Sequence, residues 1–113
     1  MHCQVRSPDR VLFEGASTRV AARGTQGEFA VMDNHAPLLA ALRRGALRIK
    51  TAQSEHVFAC FGGSLRVAED HNVTILVDEA IALEQIEEEL RILGEDGPEE
   101  RRTFLEEFRS AYG

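Results

Sequence analysis

Alternation with a period of two dominates the chain as far as Val77. Cys3, Val5 and Ser7 alternate with His2, Gln4 and Arg6, and Thr18, Val20 and Ala22 with Ser17, Arg19 and Arg23. Leu47 and Ile49 alternate with Ala46, Arg48 and Lys50, and Leu65 and Val67 with Ser64, Arg66 and Ala68. One apolar face at this period predicts strands half-buried against a second layer. Val11-Leu12-Phe13, Val57 to Phe61 and Val73 to Val77 read instead as strands buried on both faces. Turn residues separate these runs at Ser7-Pro8-Asp9, Gly24-Thr25-Gln26-Gly27, Asp33-Asn34, Arg44-Gly45 and Asp70-His71-Asn72. Short strands with closely spaced turns predict an antiparallel β-sandwich over residues 1–80.

The period changes after Asp78. Leu83, Ile86, Leu90 and Leu93 fall on one helical face, and Gly94 suits the left-handed position that ends a helix. Pro98 suits the first turn of a second helix, with Glu99 and Glu100 at its positive end and Phe104, Leu105, Phe108 and Tyr112 as its apolar stripe. A short connection between two amphipathic helices predicts an antiparallel hairpin over residues 81–113. The first helix has no Ser, Thr, Asp or Asn at its start, so an ill-defined N-terminus is expected. The fold class is mainly β with an α tail.

Composition narrows the partners. The 113 residues carry a formal charge of -6, which disfavours a nucleic-acid partner, since that needs a basic face to displace counterions. Cys3 and Cys60 read as reduced, idle thiols. Met1 to Gln4 opens into strand-like sequence with no signal peptide. The longest apolar run, Ala36 to Leu42, is far short of the ~20 residues of a membrane helix, so membrane association is expected only through a partner.

No chemistry-bearing constellation emerges. Gly24 to Gly27 lack the lysine and the strand-loop-helix setting of a phosphate loop. Asp33, Asn34 and His35 have no nucleophile or second base at a recognisable spacing and read as a turn. His2, His56 and His71 make no metal-ligand spacing, and Glu87 to Glu89 spread over a wide arc of one helix. No catalytic residue, metal or cofactor is expected.

An ordered set of segments does carry a resemblance. Val5-Arg6-Ser7-Pro8 with Phe13-Glu14-Gly15, then Gly24 to Val31, His35 to Leu39, Gly45 to Ile49, Gly62 to Val67 and Val73 to Ala80 resemble the epsilon subunit of the F-type rotary ATP synthase. The resemblance implies a sandwich of about ten short strands followed by a helical hairpin. It implies a non-catalytic place in the central stalk of a proton- or sodium-driven enzyme. The partners would be the gamma subunit, the c-ring and, through the tail, the catalytic alpha/beta head. The location would be the cytoplasmic face of the bacterial inner membrane. By this likeness Glu28 and His35 face the c-ring and Ser7 faces gamma.

The tail departs from the family. Many bacterial relatives bind ATP through Ile/Leu-Asp-x-x-Arg-Ala in the first helix. Here Ile86-Glu87-Glu88-Glu89-Leu90-Arg91 stands in its place, with Leu90 at the arginine position and Arg91 one residue along, roughly 100° around the helix. Leucine donates nothing to a phosphate, and three glutamates repel an anion. A second helix from Pro98 to Tyr112 reaches only about 22 Å, short for deep insertion into the head, so mild regulation or none is expected. The alternatives are a small ATP-sensing module built on the hairpin, and an unrelated sandwich that binds a ligand or acts as a small enzyme.

Overall fold

The computed structural model describes residues 1–113. Eight strands precede the helices: β1 His2–Arg6, β2 Val11–Ala16, β3 Arg19–Gly24, β4 Gly27–Met32, β5 Leu38–Lys50, β6 Glu55–Val67, β7 Val73–Val77 and β8 Ala80–Ala82. A 3-10 turn, Leu83–Gln85, leads into α1 Ile86–Leu93, and α2 Glu99–Tyr112 follows. The hydrogen-bonded order is β2-β1-β7-β6-β5-β3-β4, with β8 on β6.

The two 13-residue strands explain the strand number. Leu38–Leu42 of β5 pairs with Gly63–Val67 of β6, which pairs in turn with β7. Beyond the corner, the far half of β5 pairs with β3 and the near half of β6 with β8. One long antiparallel ladder therefore belongs to both layers, and counting its halves separately recovers the ten segments implied by the family likeness. Core-facing positions change parity across the corner, from Leu42 to Leu47 and Ile49 on β5, and from Phe58 and Cys60 to Leu65 and Val67 on β6. Gly62 and Gly63 sit in this corner at φ 107° and 144°, where a side chain is strained.

Two differences from the sequence reading concern the strands. β1 and β7 run parallel, whereas an antiparallel sandwich was expected. The long chain between them supplies the crossover that parallel pairing requires. Of the three runs read as doubly buried, only the one in β6 is. Phe58 and Cys60 face the sandwich core while Ala59 faces the helices. β2 ends the sheet order and leaves Val11 exposed, and β7 exposes Leu76. An apolar run cannot report which of its faces a neighbour covers.

The helices form the expected hairpin. Leu83, Ile86, Leu90 and Leu93 meet Phe104, Leu105 and Phe108 in a second core with Ala59 and Ile81. α1 starts from the 3-10 turn with no side-chain cap, as its sequence implied, and Gly94 closes it at φ 65°. Pro98 takes the N-cap position of α2.

A Cβ at Gly63 would collide with the Leu76 carbonyl of the paired strand, whereas one at Gly15 would meet only the Phe13 ring at 3.7 Å. Gly63→Ala should therefore cost about 2–4 kcal/mol in urea unfolding. Gly15→Ala should leave the midpoint nearly unchanged, and equal midpoints for the two variants would contradict the strained corner.

Candidate functional site

The β3–β4 turn and the loop after β4 converge at one end of the sandwich. Glu28, the second residue of β4, is exposed and stands opposite Arg23 in the register. His35 follows Asn34, whose φ is 66°. The His35 amide donates to the Met32 carbonyl at 3.2 Å, and its Nδ1 lies 2.7 Å from the Ala36 carbonyl. His71 Nδ1 lies 3.1 Å from the His35 carbonyl, so the β6–β7 turn also holds this loop. Glu28, His35, Thr25, Gln26 and Leu39 line one open cleft of about 500 Å³. Leu39 is 75% exposed. Sequence reading placed it inside an apolar run, and because Leu38 and Ala40 are apolar too, no local signal marked Leu39 as the outward one.

Ser7 lies in the β1–β2 turn, where its Oγ donates to the Arg10 carbonyl at 3.5 Å. It lines a different cleft, with Pro8, Leu76 and Asp78, so the structure does not bring it together with Glu28 and His35.

The four positions of the altered nucleotide motif do not converge either. Ile86 is 1% exposed in the helical core and Leu90 packs against the same core. Glu87 pairs with Arg109 of α2 at 3.4 Å. Arg91 is exposed and its Nε donates to Glu88 at 3.1 Å. The cation of the hairpin that is held firmly is Arg101. It donates to both Glu79 oxygens, at 2.8 and 2.7 Å, and to Glu89 at 3.0 Å. Its guanidinium lies 4.7 Å from the centre of the Phe61 ring, and Phe61 meets Phe104 edge-on at 5.1 Å. Sequence reading missed this clasp. The signal was present in α2, where Arg101 precedes Leu105 by four residues and shares its inward stripe.

The family model for the ATP synthase delta/epsilon chain β-sandwich domain matches residues 1–83. The chain belongs to the ATP synthase delta/epsilon family. It is 40% identical over 89 residues to the ATP synthase epsilon chain of Xanthomonas oryzae pv. oryzae, and 38% to that of Xanthomonas campestris pv. campestris. Each alignment covers 78% of this chain and 63% of the relative. The fold also resembles a chain of the Euglena gracilis mitochondrial ATP synthase OSCP/F1/c-ring structure (TM-score 0.68, 21% identity, 92% of this chain and 71% of that one). A chain of the Tetrahymena thermophila mitochondrial ATP synthase central stalk/c-ring structure is similar too (TM-score 0.67, 18% identity, 75% and 68% coverage).

In this member of the delta/epsilon family the clasp ties the hairpin to the sandwich. Glu79 follows β7, Glu89 lies on α1 and Arg101 lies on α2, so one side chain spans three elements. Its hydrogen bonds and charge hold the Glu79 carboxyl below the usual carboxylate range, and the two glutamates raise Arg101 further above its already high value. The thiols are far from reactive: burial pushes Cys3 up to about 12 and also raises Cys60, whose Sγ donates to the Gly62 carbonyl at 3.6 Å. No group of three or more His, Cys, Asp or Glu side chains is arranged to hold a metal.

Because Glu79 has a lowered pKa in the folded chain, its contribution is complete above about pH 4.3 and is lost as pH falls through the lower folded-state value. Arg101→Ala should loosen the hairpin by about 1–2 kcal/mol at neutral pH, a figure kept small because Glu79 is half exposed. Amide exchange in α2 should rise in the variant, and the difference from wild type should shrink below about pH 4. A difference independent of pH would contradict the clasp.

Proposed function

We propose that the chain is a non-catalytic central-stalk subunit of a proton- or sodium-driven F-type ATP synthase. In this reading the sandwich, residues 1–80, sits against the gamma subunit and on the c-ring and helps couple ring rotation to the catalytic head. Residues 81–113 form a regulatory tail towards the alpha/beta head. The membrane is met only through the complex, at the cytoplasmic face of a bacterial inner membrane. The observation that carries the reading is the match of the delta/epsilon sandwich model across residues 1–83. A stiff two-layer body suits torque transmission, because close-packed interiors yield little.

The c-ring end is assigned to the cleft walled by Glu28 and His35. Its support is the juxtaposition of an exposed carboxylate with the exposed Leu39. Leu39 supplies apolar area to bury, while Glu28 orients the contact at about 0.2–1 kcal/mol for a solvent-exposed pair. Ser7 is assigned to the gamma side. No helix of the chain is long and apolar enough to cross a membrane, which accords with a peripheral place.

The hairpin geometry favours a tail that binds ATP weakly or not at all. Leu90 is committed to the apolar interface, Arg91 to Glu88, and Arg101 to two carboxylates. A triphosphate would have to displace those carboxylates and approach a strongly acidic helix.

Glu28→Lys should weaken association with the c-ring in reconstituted complexes while leaving the urea midpoint of the isolated chain unchanged. Undiminished ring binding would remove Glu28 from the contact. Titration calorimetry of the full chain with ATP should give no saturable heat, and micromolar binding would overturn the degenerate-motif reading.

A further inference from the structure

The outward face of the β4-β3-β5 part of the sheet is strongly basic, although the chain is acidic overall. Register places Arg19 opposite Lys50 and Ala21 opposite Arg48, with Met32, Ala30 and Glu28 opposite Arg19, Ala21 and Arg23. Directly paired residues share a face, and Val20, Ala22, Leu47 and Ile49 point the other way, into the core. Arg19, Arg23, Arg48 and Lys50 therefore project together. None of the four joins an intramolecular ion pair: those pairs use the N-terminus, His2, Arg91, Arg101, Arg102 and Arg109. The flanking carboxylates are Glu28, opposite Arg23, and Glu55, opposite Lys50, and neither forms a salt bridge with them.

The hairpin covers the β6 side of this same face, through Val57, Ala59 and Phe61, and reaches Ala46 of β5. Tyr112, near its end, forms one wall of a trough of about 380 Å³ whose other walls include Arg19 and Arg48. Ala21, Ala30 and Ala46 also line it, together with one carboxylate, Glu28. Small side chains between basic ones leave room for a cylindrical element to come close. Successive outward positions along a strand lie about 6.8 Å apart, near the rise of about 5.4 Å per helical turn. A strand laid across the face would find no backbone partner, because the ladders beneath are already paired, whereas a helix satisfies its own backbone.

We infer that the Arg19–Arg23–Arg48–Lys50 face is a docking surface for an acidic α-helix of a protein partner, with carboxylates on successive turns of one side. Charge complementarity selects the helix, and the alanine-lined trough sets how closely it seats. The inference does not depend on which complex the chain joins.

The test uses the full chain and two fluorescent helical peptides of equal composition. In one, glutamates recur at i, i+4 and i+8 on a single face; in the other they are spread around the helix. The one-faced peptide should bind about tenfold more tightly by anisotropy and weaken with added salt. Arg19→Glu with Arg48→Glu should abolish that preference, and the milder Arg19→Gln with Arg48→Gln should reduce it. Arg6→Glu with Arg66→Glu, the same charge change on another part of the sheet, should preserve it. Equal binding of the two peptides, or equal loss with Arg6→Glu and Arg66→Glu, would reduce the effect to general charge and overturn the inference. So would binding to phosphatidylglycerol vesicles without peptide binding, or self-association in sedimentation that Arg19→Glu with Arg48→Glu removes.

Discussion

The antiparallel pairing of β5 with β6 is the interaction on which everything else hangs. These two strands share one register from Leu38 opposite Val67 to Lys50 opposite Glu55, straight through the corner between the layers. Their common bend turns an otherwise open sheet into two facing layers, and the parity change at the bend keeps apolar residues inward on both sides. The outer side of the near half of β6 then offers Val57, Ala59 and Phe61 to the hairpin. The second core thus exists because the first has its particular corner.

Charge is distributed along the same lines. The hairpin carries a dense acidic surface, and its principal cation is consumed internally by Glu79 and Glu89. The basic residues of β3 and β5 form no internal salt bridge. A single mixed surface would give a small net field. Segregation gives a basic sheet face beside an acidic helical one, a geometry that orients partners more than it tightens them.

Much of this was legible in the residues. Alternation located β1, β3 and the outer parts of β5 and β6, because each buries one face. The stripe Leu83, Ile86, Leu90 and Leu93 gave α1, and the uncapped start appeared as a 3-10 turn. What stayed hidden depends on pairing across long sequence distances. Nothing local to Val11 or Leu76 says that no neighbour covers them, and nothing local to β1 says that it lies parallel to β7. The Arg101 clasp joins residues 22 positions apart through a contact that only the docked hairpin creates. The approach of Glu28 to His35 was implied by family likeness alone; the cleft and the exposed Leu39 required coordinates.

The central claim is that the sandwich seats its Glu28–His35 end on a rotor partner. Hydrogen–deuterium exchange, compared between the isolated chain and the chain incorporated in a purified ATP synthase, tests it most directly. The account predicts slowed exchange in residues 25–28 and 35–39 on incorporation, with Phe58–Cys60 of β6, buried between the two cores, unchanged. Exchange in those two segments that is identical in both states would contradict it.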